Sequence, residues 1–269
     1  MTQKNAVIWI TGASSGLGRS LAINLAERGN RVIASARNEQ QLAMLAAENT
    51  NITALVCDIT DRDSLDRAAL QMATITPHLD QVIFNAGNCE YLDFPDPDWD
   101  ALYRVMQVNY FGSINCLRVA LPFLRNKKSR DENAKAPHIV GIASQVTAAP
   151  FPRAEAYGAS KAALQYFYHS LRIDLAPENI DVTVVDPGFI DTPLTRKNDF
   201  AMPFLMDVDA ASRRIINKLE SRPRRYRFPW RLTALLSISR FLPGLWQKMM
   251  AGTVKNNSEA GRSEIGKEK

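Results

Sequence analysis

The chain has 269 residues, a formal net charge of +5 and 23% charged residues, so it can form one large α/β domain or two small ones. Its three cysteines show no CxxC pairing, which indicates a reducing compartment and no disulfide framework. Its three histidines lack metal-ligand spacing, and its basic residues accompany no nucleic-acid recognition motif, so we expect neither a bound metal nor a nucleic-acid partner.

The first predicted element is a buried strand that leads into a glycine-rich turn. Residues 6–10 are an apolar run, and Gly12, Gly16 and Gly18 follow at once, before an amphipathic helix from about Leu17 to Arg28. Glycines let the backbone approach a phosphate, and the helix N-terminus faces the anion, so the turn predicts a dinucleotide site. The alternative is an ordinary strand-to-helix turn. Because the first apolar run leads directly into this turn, we expect no signal peptide.

The remainder of the chain alternates strand and helix patterns, without a linker or an internal repeat. The predicted strands are centred on Ile8, Ile33, Leu55, Ile83, Val140 and Val184, with a seventh at 226–228. This alternation predicts the α/β class: a single Rossmann-like, doubly wound parallel sheet of about seven strands, flanked by helices on both faces. The charged residues 125–135 are expected to form a solvated loop.

These patterns predict a single domain over residues 1–254. Its cofactor half extends over about 1–145, and its catalytic and substrate half over about 146–254, including a basic and apolar segment at 222–250. The polar tail at 255–269 is predicted to be disordered.

Tyr157 and Lys161 lie four residues apart, with Ser144 thirteen residues before the tyrosine. On a helix this spacing places the two side chains on one face, one turn apart. An ammonium near a phenol favours the phenolate, so we expect Lys161 to lower the pKa of Tyr157 and make it a usable general acid or base.

Together with the glycine turn, these residues resemble the short-chain dehydrogenase/reductase family over about residues 6–195. The turn has the spacing Gly-x3-Gly-x-Gly. Four more segments agree with the family: Asp58 after the third strand, Asn85-Ala86-Gly87 after the fourth, Asn109 in a long helix, and Pro187-Gly188 with Thr192 after the sixth. Phe84 replaces an asparagine that the family often has, which should not alter the chemistry.

The resemblance implies an oxidoreductase that transfers hydride between a nicotinamide cofactor and a carbonyl or secondary alcohol. Tyr157 would exchange the proton, Ser144 would donate a hydrogen bond to the substrate oxygen, and Lys161 would hold the nicotinamide ribose. Asn109 would position a water in a proton relay that reaches Lys161. The implied cofactor-binding residues are Gly12, Ser14, Ser15, Gly16, Leu17, Gly18, Arg37, Asp58, Ile59, Asn85, Ala86, Gly87, Tyr157, Lys161, Pro187, Gly188, Ile190 and Thr192.

The end of the second strand indicates which nicotinamide cofactor is preferred. In such folds a carboxylate there binds the ribose 2′-hydroxyl of NAD, whereas a nearby arginine accommodates the 2′-phosphate of NADP. Here Ala36 stands in the acidic position, Arg37 follows, and no carboxylate occurs before Glu39. We therefore predict that NADP(H) is preferred over NAD(H). The alternative is that Arg37 is a solvated residue at a strand end.

The segment after Gly188 is rich in apolar residues, and in this fold it usually covers the site. We therefore expect a hydrophobic small-molecule substrate, unless these residues pack on the body of the protein. The residues concerned are Phe189, Ile190, Leu194, Phe200, Met202, Phe204, Leu205 and Met206.

Two other functions share parts of this pattern. A catalytically silent NADP(H)-binding regulator would usually break the catalytic set, which is complete here. A nucleotide-sugar epimerase or dehydratase shares the sheet and the YxxxK spacing, but such chains are longer and have a GxxGxxG turn.

The C-terminal region combines basic and apolar residues. Leu232, Leu235, Leu236 and Ser239 lie at helical spacing, and the apolar run is shorter than the roughly 20 residues that span a bilayer. Contact with a membrane surface through 228–250 is one interpretation, and a substrate lid or subunit contact is the other. We expect a cytoplasmic protein, peripheral to a membrane in the first case, and a homodimer or homotetramer formed through the helices at 101–124 and 157–176.

Overall fold

Short runs of buried β-branched and apolar residues form the strands in the computed structural model, which describes residues 5–94, 96–126 and 135–252. The seven strands pair only in parallel, in the order β3-β2-β1-β4-β5-β6-β7. The strands are β1 Val7–Thr11, β2 Arg31–Ala36, β3 Ile52–Val56, β4 Gln81–Phe84, β5 His138–Ile142, β6 Asp181–Pro187 and β7 Arg225–Phe228. The predicted fold class and all seven strand positions are confirmed.

Helices connect the strands and cover both faces of the sheet. They are α1 Gly16–Glu27, α2 Glu39–Glu48, α3 Arg62–Ile75, α4 Asp100–Met106, α5 Gly112–Arg125, α6 Glu155–Asp174, α7 Val208–Leu219 and α8 Trp230–Phe241. Residues 243–252 form a further helical segment. Within the predicted solvated loop, residues 127–134 lie outside the described part of the chain, as does the predicted disordered tail at 255–269.

Alternation along β1 divides the core into two layers. Val7 and Trp9 face one layer, which includes side chains of α3, α5 and α6. Ile8 and Ile10 face the other, which includes side chains of α1, α2 and α7. Successive side chains of a strand point to opposite faces, so a strand covered on both sides is apolar throughout, as the sequence of β1 is.

From β1 the chain first adds β2 and β3 on one side of the sheet and then crosses to add β4 on the other side, so the direction of winding reverses between β1 and β4. In an open parallel sheet, connections leave such a point in opposite directions and open a crevice at the carboxyl ends of the strands. The glycine turn follows β1, and Asn85-Ala86-Gly87 follows β4. The topology therefore brings these two predicted cofactor segments to the same crevice.

The predicted long helix around Asn109 is not a regular α-helix. Between α4 and α5, residues Gln107–Phe111 form a π-helical turn, and the backbone N–H of Gly112 donates to the carbonyl of Gln107. Such turns insert one extra residue and are frequent at functional sites. The sequence prediction missed this change, because helical periodicity does not distinguish the two geometries over five residues.

The C-terminal helix α8 folds back onto the segment that follows β5. Leu232 and Leu236 are buried there, and the indole N–H of Trp246 donates to the carbonyl of Pro150 at 2.7 Å. Ser239 Oγ donates to the carbonyl of Ala148 at 3.0 Å. Among the described residues, none of the helices is both long enough and apolar enough to span a bilayer.

Candidate active site

The glycine turn begins at Gly12, which adopts a positive φ of 67°. A Cβ atom on Gly12 would lie 2.7 Å from the Cα of Ala86, closer than real side chains approach, so only glycine fits between the two turns. Asn85 Nδ2 donates to the carbonyls of Thr11 and Gly12, both at 3.2 Å. The turn after β4 thus holds the turn after β1 in place.

The N-terminus of α1 is open to an anion. Ser15 is the N-cap residue, but its side chain makes no capping hydrogen bond, and the first turn contains no acidic residue. The first N–H groups of a helix have no partner within it, and its dipole favours negative charge. Gly16 has a positive φ of 52°, and Thr192 from the loop after β6 packs against it. These residues therefore fit the phosphates of a dinucleotide.

Arg37 and Asp58 mark the other end of the crevice, after β2 and β3. The guanidinium Nη1 of Arg37 lies 4.0 Å from Asp58 Oδ2, and the Arg37 side chain is 74% exposed. A surface pair of this kind is weak, so the arginine remains available to another anion. The Asp58 carboxylate also accepts hydrogen bonds from the backbone and hydroxyl of Thr60, at 2.9 and 2.7 Å.

Ser144, Tyr157 and Lys161 converge where β5 ends. Ser144 caps the short turn after that strand, and its hydroxyl lies close enough to the phenol of Tyr157 to influence the pKa of that phenol. Tyr157 and Lys161 lie on one face of α6, with Lys161 Nζ 5.8 Å from the centre of the tyrosine ring. Tyr157 is half-buried and Lys161 is buried. The structure thus brings together the serine, tyrosine and lysine that the sequence predicted.

Burial dominates the protonation of this cluster. Desolvation raises the pKa of Tyr157 to about 12, with a further rise from Cys89 and a lowering from the nearby Ser144 hydroxyl. Burial also lowers the pKa of Lys161 to about 8, while Cys89 and Asp186 act in the opposite direction. The expectation that Tyr157 has a lowered pKa is wrong for this structure, because desolvation of the phenol is the largest cause of its shift and raises the pKa.

Asn109 lies in the π-helical turn and is completely buried. Its Oδ1 accepts from the backbone N–H of Asn88 at 2.8 Å, and its Nδ2 donates to the carbonyl of Asn88 at 3.0 Å and to Ser160 Oγ at 2.9 Å. Asn109 therefore fixes the loop after β4 to α6, one residue before Lys161. Both N–H donors of its side-chain amide therefore have partners, and Oδ1 can accept one further hydrogen bond.

The loop after β6 carries the remaining predicted cofactor residues. Pro187 ends the strand, and the backbone N–H of Gly188 donates to the carbonyl of Phe228 at 2.8 Å. A Cβ on Gly188 would lie 2.6 Å from Leu232 Cδ2, so the turn packs directly against α8. Ile190 is buried and pairs in a β-bridge with Met206, and Thr192 faces the glycine turn.

Three other predicted cofactor residues differ in their accessibility. Leu17 is buried in the α1 layer, and Ile59 packs in the opposite layer against Gly112. Their side chains therefore serve the core, and only their backbone can meet a ligand. Ser14 is half-buried in the glycine turn.

Aromatic contacts join Tyr91 to the segment after β6. Tyr91 and Phe200 make an edge contact with ring centres 6.0 Å apart, and Phe189 lies 6.1 Å from Phe200. The Tyr91 hydroxyl donates to Asn198 Oδ1 at 2.6 Å. Arg153 lies over the Tyr91 ring at 5.1 Å and pairs with Asp199 at 2.8 Å. These contacts hold the segment after β6 against Tyr91 and Arg153.

Several residues that support the site were missed by sequence reasoning. Asn88 and Ser160 orient Asn109, and their only signal is adjacency to Gly87 and Lys161. Gln165 Nε2 donates to Thr147 Oγ1 and to the buried carboxylate of Asp186, both at 2.6 Å. Gln165 thereby links α6 to the turn after Ser144. These contacts join distant parts of the chain, so no local pattern reveals them.

Comparison with known proteins points to one family. Residues 6–202 match the family model described as short chain dehydrogenase. An uncharacterized oxidoreductase from Myxococcus xanthus is 32% identical over 238 residues, covering 87% of this chain and 91% of that protein. The 11-beta-hydroxysteroid dehydrogenase A of Sesamum indicum is 33% identical over 196 residues, covering 71% of this chain and 54% of that protein.

Solved structures share the architecture. A short chain dehydrogenase from Burkholderia cenocepacia in complex with NADP has a TM-score of 0.78 and 26% identity, covering 93% of this chain and 99% of that chain. A 3-ketoacyl-(acyl-carrier-protein) reductase from Brucella melitensis, complexed with NADH, has a TM-score of 0.74 and 22% identity, covering 84% of this chain and 97% of that chain. The second likeness is one of fold alone.

Proposed function

The chain belongs to the short-chain dehydrogenase family, and from this premise we propose that it is an NADP(H)-dependent oxidoreductase acting on a carbonyl or secondary alcohol. The observation that carries the proposal is that Ser144, Tyr157 and Lys161 lie together near a glycine turn whose helix N-terminus can bind an anion. The hydroxyl of Ser144, a polarising group, lies close to the phenol of Tyr157, a proton donor. When bound, the nicotinamide cofactor supplies or accepts the hydride.

The protein's own residues handle the proton and the developing charge. Tyr157 gives its phenolic proton to the substrate oxygen during reduction and takes it back during oxidation. Ser144 donates a hydrogen bond to the same oxygen, which stabilises the charge that develops on it. Lys161 Nζ donates to the carbonyl of Ile142 at 3.0 Å, and its remaining N–H groups would bind the nicotinamide ribose.

Asn109 is proposed to complete the proton path. A Cβ on Gly87 would lie 3.0 Å from Asn109 Oδ1 and 3.3 Å from Lys161 Nζ, so the two polar groups flank the same glycine. A water held here would extend a relay from Lys161 towards solvent.

We propose NADP(H) as the preferred cofactor because no carboxylate ends β2. Ala36 is its last residue, and the next side chain, Arg37, is exposed and only weakly paired. A guanidinium matches a phosphate with two parallel hydrogen bonds. The NADP complex of the Burkholderia cenocepacia relative supports this choice.

We propose a hydrophobic carbonyl or alcohol as the substrate. Tyr91, which lies close enough to Tyr157 to feel its charge, forms an aromatic cluster with Phe189 and Phe200. Phe204 and Leu205 are exposed on the same segment as these two phenylalanines. Apolar lining with few convergent polar groups is typical of sites for apolar ligands. The steroid dehydrogenase relative from Sesamum indicum, by its name, acts on a molecule of this kind.

The test combines a substrate screen with one variant. NADPH oxidation is followed over aldehydes and ketones of increasing chain length, and activity is expected to rise with chain length. On the best substrate, Tyr157→Phe should lower kcat by about 10²–10⁴-fold. Its NADPH dissociation constant should stay nearly unchanged, because the hydroxyl acts only in proton transfer.

Tyr103→Phe is the matched control, because it removes a phenolic hydroxyl from an exposed side chain on α4. This variant should keep wild-type activity. If Tyr157→Phe retains more than a few per cent of wild-type kcat, the assignment of the proton donor is wrong. If every carbonyl fails while NADPH binds, the chain is a cofactor-binding regulator instead.

A further inference from the structure

The C-terminal part of the described chain has an unusual charge distribution. Residues 221–252 contain seven basic residues and no acidic residue. Three of the seven are held by carboxylates of the protein body: Arg222 by Asp181, and Arg225 and Arg227 by Asp186. The other four are exposed and have no carboxylate partner among the described residues: Arg224, Arg231, Arg240 and Lys248.

Large apolar side chains are exposed beside these cations. Phe241 is 77% exposed and Trp230 is 70% exposed. Leu242, Leu245 and Met249 are each about half exposed, at 54%, 50% and 48%. A cluster of this kind on one segment marks an interaction site rather than ordinary surface, because isolated exposed apolar residues are normal but contiguous ones are not.

The helical geometry of α8 places its exposed apolar residues and its basic residues on different sides of the helix. Leu232 and Leu236 face the protein body, and at about 100° per residue Trp230 and Phe241 lie on the opposite side, within about 20° of each other. Arg231 and Arg240 fall on the two flanks, about 90° from that outer line. An outward apolar ridge with a cation on each side is the arrangement of an interfacial helix, whose cations reach lipid headgroups while the ridge enters the acyl boundary.

We propose that this surface, formed by the exposed apolar and basic residues of 230–249, docks the protein on an anionic lipid bilayer. Charge complementarity favours an anionic bilayer over a second copy of the chain as the partner of this surface. A two-fold contact through the same patch would place the four unpaired cations of one copy against those of the other. Anionic headgroups instead supply the negative charge that the segment lacks.

The docking surface adjoins the proposed active site. The inner face of α8 packs on the turn that follows Ser144, where Thr233 Oγ1 donates to Gln145 Oε1 at 3.0 Å. Leu232 touches the turn at Gly188. Docking would therefore hold the site close to the bilayer surface. The proposal itself does not depend on the proposed chemistry.

The experiment is sedimentation of the full chain with sucrose-loaded vesicles. One set contains phosphatidylcholine alone, and in the other a third of the lipid is replaced by phosphatidylglycerol. We expect binding to the anionic vesicles at low ionic strength and little binding to the neutral ones. Raising the salt should weaken binding, because the Debye length falls to about 10 Å at 0.1 M.

Two double variants separate the contributions of charge and apolar area. Arg231→Gln with Arg240→Gln should weaken binding about 25-fold, about fivefold for each cation lost near the surface. Trp230→Ser with Phe241→Ser should also release the protein from anionic vesicles. The matched control is Arg62→Gln with Leu70→Ser on α3, where Leu70 is 74% exposed. It should bind as the wild type does, and thermal unfolding should show that every variant is folded.

Three results would overturn the proposal. One is no binding to anionic vesicles at low ionic strength, and another is equal release by the control variant. The third is a change from oligomer to monomer in Trp230→Ser with Phe241→Ser, which would assign the surface to contact between copies. None of these measurements uses enzyme activity, so a failure of this proposal can be distinguished from a failure of the proposed function.

Discussion

Lys161 Nζ donates a 3.0 Å hydrogen bond to the carbonyl oxygen of Ile142, the last residue of β5. This bond ties the centre of α6 to the strand that leads to Ser144. It is the only hydrogen bond recorded for the ammonium group among the described residues, although three N–H donors are available. Lys161 is therefore a buried charge that is incompletely solvated by the protein.

The cost of that burial predicts a trade-off between stability and activity. The pKa of Lys161 is about 8, lowered mainly by desolvation, against 10.5 ordinarily. Below pH 8 the folded protein must keep a desolvated ammonium that the unfolded chain hydrates freely. Lys161→Met should therefore be more stable than the wild type at pH 7, by up to about 3 kcal/mol before the loss of the Ile142 bond is subtracted.

Urea unfolding at several pH values measures this difference. The advantage of Lys161→Met should shrink as pH rises from about 8 to 10.5, because the wild type loses its buried charge over that range. Activity should be lost at every pH. Lys218→Met, on the exposed face of α7, is the control and should show no such pH dependence. A Lys161→Met protein less stable than wild type at pH 7 would mean that the Ile142 bond outweighs desolvation.

The exposed guanidinium of Arg37 leads us to predict that NADPH is preferred over NADH. NADPH should bind more tightly than NADH by one or two charge-assisted hydrogen bonds, each worth about 1.5–3 kcal/mol. Arg37→Ala should erase most of that difference by weakening NADPH binding while leaving NADH binding nearly unchanged. Calorimetric titration of both cofactors into both proteins measures the four dissociation constants.

Arg118→Ala, on α5, is the matched control, since its exposed guanidinium pairs with Asp66 at 3.0 Å. It should keep the wild-type ratio of the two affinities. Equal affinities for NADH and NADPH in the wild type would contradict the prediction.

The sequence was sufficient to predict the strands and to bring the candidate catalytic residues to one edge of the sheet. Buried parallel strands are continuous apolar runs, and the carboxyl ends of such strands meet at one edge, so Gly12, Asn85 and Ser144 had to lie near one another. The site geometry itself could not be predicted. Asn109 is oriented by Asn88 and Ser160, which are 21 and 51 residues away, and periodicity carries no information about such contacts.

Electrostatics was the least predictable feature. The spacing of Tyr157 and Lys161 indicates one helix face, but a pKa depends on how much water each group retains. Desolvation raises one pKa and lowers the other, and it is set by loops that pack over α6. Likewise, the sequence left three possibilities for the C-terminal segment: a substrate lid, a subunit contact or a membrane contact. In the structure its inner face packs on the body, and its outer face is exposed.

His138 predicts a loss of stability in acid. It is buried at the start of β5, where Gln81 Nε2 donates to its Nδ1 at 3.0 Å and its Nε2 faces Thr183 Oγ1 at 2.8 Å. Burial, with help from Arg222 and Arg172, lowers its pKa from 6.5 to about 3. In the unfolded chain His138 is protonated below about pH 6.5, whereas in the folded protein it stays neutral until about pH 3. The stability contributed by neutral His138 is thus complete above pH 6.5 and is lost as pH falls.

At pH of about 4.5 this loss should reach roughly 3 kcal/mol. His138→Gln, which retains hydrogen bonding without a titratable group, should flatten the dependence of unfolding free energy on pH between 7 and 4.5. His169→Gln, at a half-buried position on α6, should flatten it less. An unchanged slope in His138→Gln would assign acid sensitivity to other groups.

Exposed apolar residues on α6 predict a homo-oligomer. Tyr166 and Ile173 are 78% and 75% exposed, seven residues apart on one face of the helix, so a partner copy can cover both. Light scattering at micromolar concentration should give at least twice the chain mass of 30.0 kDa. Tyr166→Glu with Ile173→Glu should shift the mass towards the monomer, because burying unpaired carboxylates costs several kcal/mol. Leu70→Glu, equally exposed on α3, should not, and a wild type of monomer mass would refute the prediction.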